Sequence, residues 1–258
     1  MNIGFIGVGA IAEALVHGLA TLPDSPHRLI LSPRNPARAS HLSACYAEVH
    51  TASSNQAVVE QSDWVFITVK PDITADVLAG LPFRPEQLII NCVSTCTCAD
   101  IRQLIGHNMQ VFKAIPLPPV ARHQGPLAYT PAHPLLQALF SQLGNAVAVA
   151  DEAQLQAIAT ITAQISSLYG LFDCARQWLQ QQGIAPQAAS DYIKAMYLAQ
   201  TRLAAEDGAP PFAGLMEEVS TPGGLNEQVL RQLTAVRWFD AYASSCDAVL
   251  ARLRQQAD

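Results

Sequence analysis

The feature that most constrains this chain lies in its first dozen residues, Asn2-Ile3-Gly4-Phe5-Ile6 followed by Gly7-Val8-Gly9-Ala10-Ile11-Ala12. An apolar, strand-like run leads into two glycines and then into an amphipathic helical stretch. A G-x-G-x-x-A turn in that setting has specific physical work to do. The first glycine permits the tight turn, the second lets a pyrophosphate approach the backbone, and Ala12 keeps helix and strand close. The helix that opens there offers free N–H groups and the positive end of its dipole to phosphate. The pattern carries weight because it follows a strand and begins a helix; the same letters elsewhere mean little. The residues singled out by this reading are Gly7, Gly9, Ala10 and Ile11, as a dinucleotide cradle.

Downstream the pattern repeats in kind. Apolar, β-branched runs at 2–6, 28–32, 64–69, 88–92 and 110–115 alternate with helical stretches, and further strands are expected at 127–130 and 146–149 with a helix around 134–143. Strands spaced by helices give βαβ units and a mostly parallel sheet. Their apolar character without alternation suits a sheet covered on both faces. From Asp151 onward almost nothing reads as strand: 154–182, 186–207 and 225–254 are long, rich in Ala, Leu and Gln, and helical in period. The expectation is therefore α/β, with an N-terminal Rossmann-type, doubly wound, mostly parallel sheet over 1–150 that binds NADP. A C-terminal all-helical domain over 151–258 is expected to follow, and its many Ala and few charges suit an oligomer interface, with dimerisation the simplest case.

The choice of dinucleotide rests on the end of the second strand. An NAD-specific site places Asp or Glu there, to accept from the ribose 2′-hydroxyl. Here the run is Leu29-Ile30-Leu31-Ser32-Pro33-Arg34. A hydroxyl (Ser32) and a guanidinium (Arg34) stand where a 2′-phosphate would lie, and a guanidinium can clasp phosphate with two charge-assisted bonds. NADP(H) is the expected cofactor. A plain solvated loop is the other reading of Arg34.

Bulk properties exclude several classes of partner. Half of the 258 residues are hydrophobic, only 14% are charged, and the formal net charge is −6. So apolar a chain can bury a large core and also a subunit interface. Its acidic balance argues against nucleic acid or an anionic membrane surface. No apolar run is long enough to span a bilayer and no basic, apolar leader begins the chain, so a cytoplasmic protein with a small-molecule substrate is expected. Cys92, Cys96 and Cys98 cluster, but the second half of a zinc site is missing and the seven histidines show no ligand spacing; no metal is expected. Lys113 and His107 read as a strand-end charge and a surface turn.

Three segments together resemble the pyrroline-5-carboxylate reductase family: the opening from Ile3 to Ala12, then Ser62-Asp63-Trp64-Val65-Phe66-Ile67-Thr68-Val69-Lys70-Pro71, and the late Pro222-Gly223-Gly224. The resemblance runs nearly the whole length, in order. It implies that Asn55 contacts the adenosine side of the cofactor and that Val69, Lys70 and Pro71 lie along the dinucleotide. It implies helices that interlock between the subunits of a homodimer. It further implies hydride transfer from NADPH to a cyclic imine whose carboxylate rests on the turn containing Thr221, Gly223, Gly224 and Leu225. A protonated imine is already electrophilic, so such a reaction needs orientation and dryness more than a strong acid or base.

The substrate side departs from that family in three places. Leu225 and Asn226 stand where a small residue and a threonine are usual. Asn226 reads either as the hydrogen-bonding group at the imine, hence catalytic, or as a simple helix N-cap. Ile115-Pro116-Leu117-Pro118-Pro119 replaces a Met-Pro-Asn-Thr-Pro run, and Gln164-Ile165-Ser166-Ser167-Leu168-Tyr169 replaces a glycine-rich helix start. Losing polar groups from a site for a polar ligand changes the ligand. Two further readings stay open beside reduction of pyrroline-5-carboxylate or a related cyclic imine: a reductase of a different imine or ketone, and a non-catalytic, regulatory NADP-binding paralogue. The β-hydroxyacid dehydrogenases share this plan but need a lysine on the first long helix of the second domain; residues 154–182 contain none.

Overall fold

The computed structural model of the chain describes residues 1–23 and 26–255. Two compact units are evident, Met1–Ala159 with residues 252–255, and Thr160–Ala251.

The first unit is built on one eight-stranded sheet in the order β3-β2-β1-β4-β5-β6-β7-β8. The strands are β1 (Asn2–Ile6), β2 (Arg28–Leu31), β3 (Val49–Thr51), β4 (Trp64–Ile67), β5 (Leu88–Asn91), β6 (Gln110–Ile115), β7 (Pro126–Thr130) and β8 (Asn145–Ala148). All neighbours pair in parallel except β6 and β7. Strand order 3-2-1-4-5-6 is the doubly wound arrangement, with its switch point between β1 and β4. The Rossmann-type, mostly parallel sheet read from the sequence is thus borne out. The three-residue edge strand β3 escaped that reading because only Val49 of the three is buried, leaving no apolar run to see.

Why the strands look uniformly apolar is clear from the packing. Successive side chains leave a strand on opposite faces, and here each face has its own core. Ile3, Phe5, Leu29, Leu31, Trp64, Phe66 and Ile90 enter one, against helices α1 (Ala10–Ala20), α2 (Pro36–Cys45) and α6 (Pro134–Leu143). Ile6, Ile30, Val65, Ile67, Ile89 and Val111 enter the other, against α3 (Asn55–Gln61), α4 (Thr74–Leu78) and α5 (Cys98–Ile105). Phe66, stacked on Phe5 at 5.1 Å and tilted against Phe140 at 6.5 Å, is the hub of the first core.

Beyond the sheet the chain is helical: α7 (Glu152–Thr162), α8 (Ile165–Gln181), α9 (Pro186–Leu203), α10 (Phe212–Val219), α11 (Leu225–Ala235) and α12 (Trp238–Gln255). Two helices expected to be continuous are broken. The 154–182 stretch parts at Ala163-Gln164 into α7 and α8. The 225–254 stretch parts at Val236-Arg237, where Arg237 takes a left-handed φ of 57°. Neither break carries glycine or proline, so the local sequence hides both. Pro186 opens α9 at its first turn, where the missing N–H costs nothing. In α8, α10, α11 and α12 no residue is buried within the chain. Among the described residues no helix is long and apolar enough to cross a membrane.

Truncating the hub should be costly. Phe66→Ala is expected to lower the unfolding free energy by roughly 3–5 kcal/mol, the range for emptying a fully buried aromatic site, measured by chemical denaturation of the purified protein.

Candidate active site

At the carboxyl ends of β1 and β4 the glycine turn is fixed by side chains from three other segments. The Gly7 N–H donates to Ser32 Oγ at 2.9 Å. Its carbonyl accepts from Thr68 Oγ1 at 2.7 Å, and the same hydroxyl also reaches the Ile6 carbonyl at 3.2 Å. The next carbonyl, of Val8, accepts from Asn35 Nδ2 at 3.2 Å and from the Arg38 guanidinium at 3.4 Å. Arg38 in turn pairs with Glu13 on α1 at 2.9 Å.

The two glycines serve different ends. Gly7 has φ 95°, and a Cβ there would sit 2.7 Å from Val69 Cγ1 and 2.9 Å from the Thr68 carbonyl. Only glycine fits that backbone. Gly9 has an ordinary φ of −89°, and a Cβ on it would find nothing closer than 3.9 Å. The space over Gly9 is open, as an approaching phosphate requires. Gly9 also caps α1 without a side-chain bond, whereas Asn35, Ser54 and Thr97 cap α2, α3 and α5 with theirs. The first N–H groups of α1 are left for an external acceptor. Ala10 stands exposed at that start and Ile11 half-buried behind it.

The structure separates Ser32 from Arg34. Ser32 is buried and its oxygen is committed to Gly7, so its part is to shape the turn. Arg34 is exposed beyond β2 and bonds to none of the described residues. Asn55 begins α3 just beyond β3, half-buried. Val69 backs Gly7, while Lys70 and Pro71 are exposed at the turn after β4. Arg34, Asn55, Lys70 and Pro71 all follow the carboxyl ends of strands, as ligands of open α/β sheets require. Asn35, Arg38 and Thr68 are the contributors that sequence reasoning missed. Position after strands β2 and β4 was the one available signal.

A cavity of about 130 Å³ lies at the carboxyl ends of β5 and β6. Ile11, Ala114, Ile115, Pro116 and Leu155 give it an apolar floor, and Ser94 to Thr97 form a polar wall. Lys113, read from sequence as a strand-end charge, is buried beneath that wall. Burial holds its pKa below the ordinary lysine value, with the Glu152 carboxylate opposing that shift in part. Burial likewise pushes the Cys92 and Cys98 thiols up to about 12, so both are protonated at neutral pH and offer no thiolate.

In the helical unit, Thr221, Pro222 and Gly223 are exposed, with Gly223 at φ 74°, and Gly224 is half-buried. Gly224, not Asn226, is the N-cap of α11. Asn226 lies inside the first turn, and its Nδ2 donates to the Val219 carbonyl at 2.9 Å, tying α10 to α11. The N-cap reading of Asn226 is therefore corrected. The Gly223 N–H donates to Glu227 Oε2 at 2.6 Å, and Leu225 is 81% exposed. Gln164, at the break before α8, donates to Ser245 Oγ at 2.8 Å.

The contrast between the glycines is testable. Gly9→Ala should leave stability within about 1 kcal/mol of the parent but weaken NADPH binding at least about tenfold, read by fluorescence titration. Gly7→Ala should cost at least about 1–2 kcal/mol from backbone strain alone, seen as a lower melting temperature.

Comparison with known proteins agrees with this geometry. Residues 2–95 match the family model described as NADP oxidoreductase coenzyme F420-dependent. Over 244 residues the chain is 26% identical to pyrroline-5-carboxylate reductase of Pseudomonas aeruginosa, covering 91% of this chain and 89% of that protein. Its fold is that of a pyrroline-5-carboxylate reductase from Coxiella burnetii, with a TM-score of 0.85 at 21% identity over 100% of this chain and 98% of the other. It is equally that of the Plasmodium falciparum pyrroline carboxylate reductase solved with NADP bound, with a TM-score of 0.84 at 16% identity, again over 100% and 98%. With its glycine turn, its Val-Lys-Pro strand end and its Pro-Gly-Gly turn in agreement with relatives matched over about nine-tenths of its length, the chain is similar to the pyrroline-5-carboxylate reductases in sequence and shares their fold.

Proposed function

We propose that this chain is an NADPH-dependent reductase of a carbon–nitrogen double bond, acting on 1-pyrroline-5-carboxylate or a related cyclic imine. The observation that carries the reading is the locked glycine turn with its uncapped helix start, beside a cavity with an apolar floor. The residues fit NADP: open space over Gly9, free N–H groups on α1, and Arg34 where an NAD site would need a carboxylate. Gly7, Gly9, Ala10 and Ile11 hold the pyrophosphate, with Ser32 shaping the turn. Arg34 and Asn55 serve the adenosine side, and Val69, Lys70 and Pro71 run along the dinucleotide. Residues 1–150 then form the NADP-binding domain and 151–258 the domain for substrate and dimerisation.

Bound NADPH supplies a hydride to the imine carbon; the chain's own part is to bind, orient and keep water out. Thr221, Gly223, Gly224 and Leu225 are assigned to the substrate. Asn226 is assigned the catalytic contact. With Nδ2 spent on Val219, its Oδ1 is held in a fixed direction, ready to accept from the N–H of a protonated imine. No acid or base is needed, because the imine arrives protonated and the product amine keeps its proton.

The helices α8 and α10–α12 support a homodimer. Phe212 is 82% exposed and Leu225 81%, and a helix with an apolar face and nothing buried must find a partner. A second copy of the chain is the proposed cover.

The deciding experiment follows NADPH oxidation with pyrroline-5-carboxylate against a panel of other cyclic imines and ketones. Turnover of an imine is expected. Turnover of ketones alone would replace the substrate class, and tight NADPH binding without any turnover would establish a non-catalytic NADP-binding protein instead. Asn226→Ala should lower kcat on the active imine with NADPH affinity held. Arg34→Ala should weaken NADPH by about tenfold or more while leaving NADH unchanged. Sedimentation should return twice the monomer mass.

A further inference from the structure

One buried charge has no part in the reaction as described. Lys113 lies in β6 between Asn91 of β5 and Thr130 of β7, and is 7% exposed. Its Nζ donates to the carbonyls of Val93 and Cys96, with the Ser94 carbonyl at 3.5 Å. An ammonium has three protons and no lone pair, and these three carbonyls account for all of them. Two more side chains finish the segment. Asn91, fully buried, accepts from the Val93 N–H and donates to the Cys96 carbonyl, both at 2.9 Å. Glu152, at the start of α7, accepts the Cys98 N–H through both oxygens at 3.0 and 3.2 Å.

A buried ammonium is costly unless fully bonded. An apolar residue at 113 would avoid that cost if the position mattered only to the sheet. What the lysine does instead is draw three consecutive-region carbonyls inward, toward β6, and thereby set the shape of the 94–97 wall of the cavity. Lys113 cannot serve as a proton donor without releasing a carbonyl. Nor is it an anchor for an anionic substrate, since its protons face the main chain and the Glu152 carboxylate offsets its charge.

We propose that Lys113, with Glu152, is a positioning residue: the two hold the 94–97 wall in the one shape that aligns cofactor and imine for hydride transfer. The proposal rests on the reductase reading above. It differs from it in what it demands, namely that rate should fall while binding holds.

The test compares the unmodified protein with Lys113→Met and Glu152→Ala, using 1-pyrroline and pyrroline-5-carboxylate as substrates. Misplacement of a reacting group by about an ångström can cost up to a hundredfold. Lys113→Met should therefore lower kcat on the order of ten- to a hundredfold on whichever imine is turned over. KM and the dissociation constant for NADPH should stay within about twofold, well under the tenfold that 1.4 kcal/mol would make. Amide hydrogen exchange at Val93, Thr97 and Cys98 should quicken while that of β1 and β4 stays slow. Glu152→Ala should shift both readouts the same way, and decides the matter if Lys113→Met fails to fold. Unchanged kcat in either folded variant overturns the proposal. So does a KM rise confined to the carboxylate-bearing imine, which would make Lys113 a substrate contact. If the unmodified protein reduces no cyclic imine of the panel above, the reductase reading falls and takes this proposal with it. Undiminished kcat in a folded variant, with the unmodified protein active, overturns this proposal alone.

Discussion

The backbone of Gly7 is the fixed point on which the first unit depends. It must turn sharply out of β1, pass close to Thr68 and Val69 just beyond the neighbouring strand, and release the chain into α1 with its first N–H groups free. Sterics allow only glycine at φ 95° with a neighbour 2.7 Å from where a Cβ would lie. Hydrogen bonding does the rest. Ser32 takes the N–H, Thr68 the carbonyl, and Asn35 and Arg38 the carbonyl that follows. Each comes from a segment just beyond a strand, so the sheet's register sets the cradle's shape. A turn fixed in this way is organised before any ligand arrives, which spares binding the cost of ordering it.

Charge is managed sparingly around the cavity beyond. Lys113 and Glu152 both line it, yet it meets no free ammonium proton. The ammonium is spent on carbonyls, the carboxylate on Cys98 N–H, and burial keeps the Cys92 and Cys98 thiols protonated. An environment of that kind suits hydride transfer to an electrophile that already carries its own activation. It offers little to acyl or phosphoryl transfer, which need a nucleophile or a charge clamp.

The helical unit poses a different physical problem. With Ala189 and Ile193 as the buried positions of α9 and none in α8 or α10–α12, its apolar surface exceeds what one copy of it can cover. The aromatic contacts that exist, such as Phe172 on Tyr197 at 4.5 Å, join adjacent helices of a layer and do not close a core. Exposed aromatic and aliphatic side chains such as these are the kind that the core of a protein interface contains. The composition, half hydrophobic with few charges, has its physical explanation in this layer as much as in the sheet.

Local sequence alone determined the doubly wound sheet, the glycine cradle and the helical second half, because each follows from short-range rules: period, turn chemistry and capping. The missing acidic residue after β2 was legible for the same reason. Tertiary structure decided what depends on contacts between distant residues. Ser32 became a strut for Gly7, 25 residues away, and Asn226 became a tie to Val219 instead of a cap. Lys113 changed most, from an apparent strand-end charge to a buried ammonium holding residues 93–96, some 20 positions earlier. No pattern along a chain shows which carbonyls a lysine will meet. That is settled when two strands align, and here β5 and β6 place Asn91 beside Lys113.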